Sequence, residues 1–210
     1  MSDLVFYTNP QSRGRIIRWM LEEVGQPYET KVIDYAVMKS PDYLAVHPLG
    51  KVPAISHGGE VVTETAAICA YLADAFPEAG LIPPAGHHKR GTYYRWLFYA
   101  AGPVEAAVTN KALKVEVSEE QSRFVGYGNF DSAIDALELA LKPGPFICGD
   151  QFTAADLYVG SQIGYGMMFG SIEKRPIFED YFGRLQARPA AKRAAELDDA
   201  LMASQPQPAA

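Results

Sequence analysis

Gly50-Lys51-Val52-Pro53-Ala54, followed after a short interval by Glu64-Thr65, is the stretch of sequence that decides the fold. A residue that precedes proline is pushed toward extended backbone geometry, and proline itself has no amide hydrogen. We therefore expect Val52 to present an unpaired peptide edge. Glu64 and Thr65 stand directly before the apolar run at residues 66–72, where the amides and dipole of a helix N-terminus favour a carboxylate. Together, the peptide edge at Val52 and the helix start at Glu64-Thr65 predict a site for a small anionic ligand.

The composition is that of an ordinary globular protein. Its 210 residues, 48% hydrophobic and 21% charged, suffice for one large or two modest domains with their own cores. Because the net charge is -6, the chain has no obvious source of a basic face, and we expect no nucleic-acid partner. No apolar run approaches the roughly 20 residues that span a bilayer, and the N-terminus lacks a charged leader. We therefore expect no membrane partner and a cytoplasmic location.

The periodicity of the first third predicts the order βαβ-α-ββα. A buried strand at residues 4–7 ends at Asn9-Pro10, and the helix that follows stops at Gly25. The remaining elements are a strand at 28–33, a short helix at 39–44, a hairpin formed by 54–56 and 60–62, and a helix at 64–76. A strand, a helix and a strand in that order favour a parallel pair with a right-handed crossover.

The rest of the chain has helical patterns only. Residues 78–91, with Pro83-Pro84 and Gly86, are typical of a linker. Helices are predicted at 92–101, at 121–141, after a cap formed by Thr153 and Asp156, at 178–185 and at 190–201. The predicted fold is therefore α/β plus all-α, with a first domain at 1–77, an α-helical bundle domain at 92–203 and a disordered tail at 204–210.

Nearly all of the chain resembles the soluble, cytosolic-type glutathione S-transferase superfamily, as a bacterial member. The resemblance is carried by four segments in a fixed order, at residues 7–13, 48–54, 64–68 and 149–156. It implies a thioredoxin-like N-terminal domain, a cis proline at Pro53 and a homodimer. Glutathione is then the co-substrate, and no metal is expected, because the four histidines form no metal-binding pattern.

The resemblance also implies a glutathione site. Val52 would pair its N–H and C=O with the cysteinyl backbone, and Glu64 and Thr65 would hold the ammonium and carboxylate of the γ-glutamyl end. Lys51 could reach the glycyl carboxylate, although an ordinary solvated lysine is the alternative. The full set of predicted glutathione-binding residues is Asn9, Gln11, Arg13, Lys51, Val52, Pro53, Glu64 and Thr65.

The group that activates the glutathione thiol is left open between several candidates. A hydrogen-bond donor or a positive helix terminus lowers a thiol pKa. Ser12, at the entry to the first helix, is the leading donor, and Tyr7, at the end of the first strand, is its rival. Backbone amides, or Asn9, Gln11 and Arg13 acting together, are the third possibility. The absence of cysteine from residues 7–13 argues against mixed-disulfide chemistry.

The electrophile is expected to meet an apolar wall in the helical domain. The predicted wall consists of Tyr94, Phe98, Tyr165 and Met168, for each of which plain core packing is the alternative. The resulting hypothesis is a glutathione transferase that adds the thiolate to a hydrophobic electrophile. The alternatives are a glutathione-dependent peroxidase or disulfide reductase, and a catalytically silent binding or regulatory protein.

Overall fold

The computed structural model describes residues 3–204, which form two compact units. The first consists of residues 3–79 and 188–204, and the second of Gly80–Ala187. Of the predicted tail at 204–210, only Ser204 is described, and it ends the last helix. The other residues of that prediction lie outside the described part of the chain.

The first unit contains a four-stranded mixed sheet. Its elements in chain order are β1 (Leu4–Thr8), α1 (Gly14–Val24), β2 (Glu29–Val32), α2 (Pro41–Leu44), β3 (Ala54–His57), β4 (Glu60–Thr63) and α3 (Thr65–Ala75). The strand order is β2-β1-β3-β4, with β1 and β2 parallel and the other two pairs antiparallel. This arrangement confirms the predicted thioredoxin-like βαβ-α-ββα domain.

Local sequence accounts for these elements. Alternate residues of β1 are buried, because Leu4, Phe6 and Thr8 face the core. Helix α1 ends where Gly25 adopts the left-handed conformation, at φ 73°, and donates its N–H to Leu21. The predicted hairpin is also present. Strands β3 and β4 are paired, with His57 opposite Glu60 at the two ends of the connecting turn.

The second unit is helical, as expected. Its helices are α4 (Lys89–Tyr99), α5 (Glu105–Ala112), α6 (Phe130–Leu141), α7 (Ala154–Phe169) and α8 (Pro176–Gln186). A single π-helical turn at Ala100–Val104, which contains Pro103, joins α4 to α5. The predicted helix at 121–141 is shorter in the structure, because its first part forms only a 3-10 turn at Gln121–Arg123. Gly128, with φ 68°, interrupts the backbone before α6 begins.

The predicted cap of α7 organises the core of this unit. Asp156 is fully buried, and its carboxylate accepts the N–H and hydroxyl of Thr153 at 2.9 and 2.8 Å. It also accepts the N–H of Ile147 at 2.7 Å and the hydroxyl of Tyr181 at 2.8 Å. Burial raises the pKa of the Asp156 carboxyl, and these hydrogen bonds oppose that effect. The capping box therefore also ties together the segments around it.

Helix α9 (Pro189–Ser204) packs on α1 and belongs to the first unit. This differs from the predicted helical domain at 92–203, which included these residues. The reason is a set of ion pairs between the two helices and their ends. Arg188 binds the carboxylate of Glu23 with two hydrogen bonds of 2.6 and 2.7 Å, and Arg193 pairs with Glu22.

One of these ion pairs is buried. Arg18 in α1 donates from Nε to Asp198 Oδ1 at 3.1 Å, and the two side chains are 3% and 1% exposed. Arg18 Nη1 also donates to the hydroxyls of Tyr28 and Thr30, at 2.9 and 2.8 Å. Burial raises the pKa of the Asp198 carboxyl, and the Arg18 guanidinium opposes that shift. Removal of either partner leaves the other as an uncompensated buried charge.

Asp198→Ala should therefore lower the free energy of unfolding by about 3 kcal/mol or more, because Arg18 loses its counter-charge. The measurement is urea denaturation followed by circular dichroism. The neighbouring Asp199 provides a matched control, since it pairs with Arg15 at 2.6 Å but is 67% exposed. Asp199→Ala should cost less than about 1 kcal/mol. Equal losses for the two variants would contradict the importance of the buried pair.

Candidate functional site

A pocket of about 330 Å³ opens in the first unit. It lies where three segments meet: the turn between β1 and α1, the loop between α2 and β3, and the start of α3. Its lining residues are Ser12, Arg13, His47, Leu49, Lys51, Val52, Pro53, Glu64 and Thr65. The structure thus brings together most of the residues that the sequence predicted to bind glutathione.

The loop that carries Val52 is held by side chains from the preceding segment. Tyr43 donates its hydroxyl to the carbonyl of Lys51 at 2.6 Å, and Lys39 Nζ donates to the carbonyl of Leu49 at 2.6 Å. Burial raises the pKa of Tyr43 to about 12, so its hydroxyl remains a donor at neutral pH. The Val52-Pro53 peptide bond is cis, as the resemblance implied. These contacts fix the peptide edge of the loop beside the pocket.

The start of α3 has an unusual backbone conformation. Glu64 has a φ of 65°, a region that few residues other than glycine adopt, and its carbonyl accepts the N–H of Ile68 at 2.9 Å. Thr65 is buried at the first helical position. The side chain of Glu64 is 72% exposed. This helix terminus therefore offers amides that favour an anion, together with an accessible carboxylate that favours a cation.

The turn between β1 and α1 brings Ser12 to the pocket. The Ser12 hydroxyl donates to the carbonyl of Asn9 at 2.6 Å and accepts the N–H of Gly14 at 2.9 Å. Asn9 is buried and holds the turn together, since its amide donates to Ile33 and its oxygen accepts the N–H of Gln11. Asn9 and Gln11 do not line the pocket, whereas Arg13 does.

Tyr7, the rival donor, does not line this pocket either. Its ring lies 6.2 Å from that of Tyr43, and Lys31 Nζ lies 5.6 Å from its centroid. Of the two candidate donors, only Ser12 is therefore among the residues that line the pocket.

Sequence reasoning missed His47 and Leu49. The ring of His47 is 5% exposed, and its Nδ1 accepts the N–H of Leu49 at 3.3 Å. The available signal was the position of His47 directly before residues 48–54, one of the four segments that carry the family resemblance.

Three of the four residues predicted to contact the electrophile take part in stacked aromatic pairs in the second unit. On α4, Tyr94 and Phe98 stack with their centroids 6.2 Å apart. On α7, Tyr165 stacks on Phe169 at 6.3 Å. Phe98 and Met168 are 60% and 63% exposed, so these two side chains are surface residues of the unit and not part of its core.

Two other properties concern the described residues as a group. Within residues 3–204, histidine, cysteine and acidic side chains form no group of three or more that could hold a metal ion. None of the helices described in this range combines the length and the apolar character that crossing a membrane requires.

Comparison with sequence families gives two matches along the chain. Residues 13–75 match the family described as the N-terminal domain of glutathione S-transferase. Residues 105–165 match the family described as the C-terminal domain of glutathione S-transferase. The first match includes most of the pocket, and the second extends from α5 into α7.

Individual proteins agree with these matches. Glutathione S-transferase GstA of Escherichia coli O157:H7 is 32% identical over 143 residues, which cover 66% of this chain and 70% of that protein. The crystal structure of a glutathione transferase from Methylococcus capsulatus str. Bath has a TM-score of 0.77 at 29% identity, covering 94% of this chain and 99% of its own. A sphingomonad glutathione S-transferase complexed with glutathione has a TM-score of 0.75 at 28% identity, covering 93% and 98%.

Substitution of Gly50 would test how closely the pocket loop packs against its neighbours. Its φ is 54°, and an added Cβ would lie 2.2 Å from the carbonyl oxygen of Met38. Gly58 has a similar φ of 59°, but an added Cβ would meet nothing within 4 Å. Gly58→Ala should therefore cost only the roughly 1–2 kcal/mol of left-handed backbone. Gly50→Ala should cost roughly 1–3 kcal/mol more, because the loop must also move.

The measurement is the free energy of unfolding in urea for both variants. If Gly50→Ala were no more destabilising than Gly58→Ala, the close approach of Met38 to the loop would be wrong.

Proposed function

We propose, because the chain belongs to the glutathione S-transferase family, that its pocket binds glutathione and activates the glutathione thiol for transfer to a hydrophobic electrophile. The observation that carries the proposal is the meeting of a fixed peptide edge with the start of α3 in one cavity. Glutathione is an extended tripeptide with charged groups at both ends, and such an edge flanked by ionic groups suits it. Curated relatives that are named glutathione S-transferase favour this activity over a catalytically silent protein.

Each part of the ligand then has a partner. The peptide groups of Val52 pair with the cysteinyl backbone of glutathione. Glu64 takes the α-ammonium, and Thr65, with the amides at the start of α3, takes the α-carboxylate. Lys51 and Arg13 line the same pocket and supply positive charge for the glycyl carboxylate. Asn9 and Gln11 support the site through the turn that presents Ser12.

Ser12 is the donor that we assign to the thiolate. It lines the pocket, and its hydroxyl has a single hydrogen, which is donated to the carbonyl of Asn9. A thiolate is charged and therefore attracts that hydrogen more strongly than a neutral carbonyl does. On ligand binding the hydroxyl turns to the sulfur, while the N–H of Gly14 still donates to the serine oxygen. The thiol pKa falls, and more of the bound glutathione is nucleophilic at neutral pH.

In the proposed reaction, the thiolate sulfur forms a bond to an electrophilic carbon of the second substrate. The leaving group departs with its electron pair, or, in an addition, the substrate takes up a proton. No covalent intermediate with the enzyme is required. We propose that Tyr94 and Phe98 on α4, with Tyr165 and Met168 on α7, form the apolar wall for this substrate. The protein would act as a homodimer in the cytoplasm.

Glu64→Gln tests the assigned ammonium site. The variant keeps the size of the side chain but loses its charge, so glutathione should bind at least about 1 kcal/mol, or roughly fivefold, more weakly. Isothermal titration with glutathione measures the effect. Glu60→Gln on β4, exposed and outside the pocket, is the matched control and should bind as the original protein does. Unchanged affinity in Glu64→Gln would remove the assigned role.

Ser12→Ala tests the thiol donor. Loss of the hydroxyl should raise the pKa of bound glutathione, so that the thiolate fraction at neutral pH falls roughly tenfold. The measurement is the ultraviolet absorbance of the thiolate in the complex as a function of pH. Tyr7→Phe is the comparison variant and should leave the titration unchanged. A shift in Tyr7→Phe alone would assign the role to the tyrosine instead.

A further inference from the structure

His47, Leu49 and Pro53 line the pocket without a role in the proposed reaction, and His47 is the only one of the three with a polar side chain. Its ring is 5% exposed, so its orientation is set by the surrounding protein, while the neighbouring carboxylate of Glu64 is 72% exposed. The two groups approach each other at the pocket, with His47 Nε2 4.0 Å from Glu64 Oε1. Among the described residues, His47 is the only ion-pair partner of Glu64 that the structure provides.

The tautomer of His47 follows from its other nitrogen. Nδ1 accepts the backbone N–H of Leu49 at 3.3 Å, and a nitrogen that accepts a hydrogen bond carries no proton. The neutral ring therefore carries its proton on Nε2, the nitrogen closer to Glu64. The loop thus holds the imidazole as a hydrogen-bond donor toward the carboxylate.

The distance between the two groups can close without movement of the backbone. An ordinary N–H to oxygen hydrogen bond is about 3 Å long, so the carboxylate must move by about 1 Å. Glu64 is fixed at its backbone, by its position before α3 and its φ of 65°, but its exposed side chain can change rotamer. The buried imidazole is the rigid member of the pair, and the carboxylate is the adjustable one.

We propose that His47 is a positioning residue for Glu64. Its Nε2–H holds one carboxylate oxygen, so that the other is directed at the α-ammonium of glutathione. A carboxylate that is oriented before binding loses less rotamer freedom when the ligand arrives, and affinity rises for that reason. The inference rests on the proposed function, since the ammonium in question is that of glutathione.

Two substitutions separate the two nitrogens of the ring. In His47→Asn, the amide oxygen takes the place of Nδ1 and can still accept the N–H of Leu49, but nothing replaces Nε2. In His47→Gln, the amide nitrogen reaches the place of Nε2 and can still donate to Glu64, but the acceptor for Leu49 is lost. The Asn variant therefore keeps the loop contact, and the Gln variant keeps the donor.

The experiment is isothermal titration of each variant with glutathione and with glutaryl-cysteinyl-glycine, which lacks only the α-amino group. His47→Asn should bind glutathione about fivefold more weakly and the analogue as the original protein does. His47→Gln should bind glutathione within about twofold of the original, even if its unfolding midpoint is lower. In turnover assays, the Asn variant should raise the KM for glutathione and leave kcat unchanged at saturating glutathione.

A double variant shows whether His47 acts through Glu64. In the Glu64→Gln background, His47→Asn should have no further effect on glutathione affinity, because the charged group that it positions is absent.

Three results would overturn the inference: normal glutathione binding by His47→Asn, equal weakening of glutathione and its analogue, or weaker binding by the Gln than by the Asn variant. The last would assign His47 only to holding the loop. If the original protein binds no glutathione at all, the proposed function fails as well, and that outcome is visible before any variant is made.

Discussion

The buried guanidinium of Arg18 is the constraint on which the first unit depends. A guanidinium keeps its charge at any ordinary pH, so a unit that buries one must supply a counter-charge and hydrogen-bond acceptors. Asp198 on α9 provides the charge, and Tyr28 and Thr30 provide hydroxyls beside and within β2. The guanidinium also lies 4.9 Å from the ring centroid of Phe6 in β1. One charge thereby connects α1, the sheet and the last helix of the chain.

The pocket is assembled from loops that leave this sheet and its helices, and each loop is fixed by a different local device. Tyr43 and Lys39 hold the loop before β3 by its carbonyls. Asn9 closes the turn before α1. Glu64 adopts a backbone conformation that presents the first turn of α3 to the cavity. Because these contacts exist before any ligand arrives, binding requires little reordering of the protein, which favours affinity.

Binding and chemistry place different demands on this pocket. The charged side chains assigned to binding, Arg13, Lys51 and Glu64, are exposed, whereas the Ser12 hydroxyl already takes part in two hydrogen bonds of its own turn. On the proposed mechanism, the Ser12 hydroxyl stops donating to the carbonyl of Asn9 and donates to the thiolate instead. The turn therefore loses one hydrogen bond when the thiolate gains one. Activation of the thiol is therefore coupled to the geometry of the β1–α1 turn. His47 likewise makes two contacts with one side chain. Its Nδ1 accepts the N–H of Leu49 in the loop, and its Nε2 faces Glu64.

The sequence by itself determined the class of fold, the family and most of the lining of the pocket. Those inferences rest on local chemistry: proline and glycine restrict the backbone, caps begin helices, and apolar spacing marks buried faces. Tertiary structure alone decided that α9 joins the first unit, that Ser12 and not Tyr7 lines the pocket, and that His47 approaches Glu64. Each depends on residues that are apart in sequence and meet only after folding. A local sequence pattern does not determine which distant residue a buried arginine, a hydroxyl or an imidazole contacts in the folded protein.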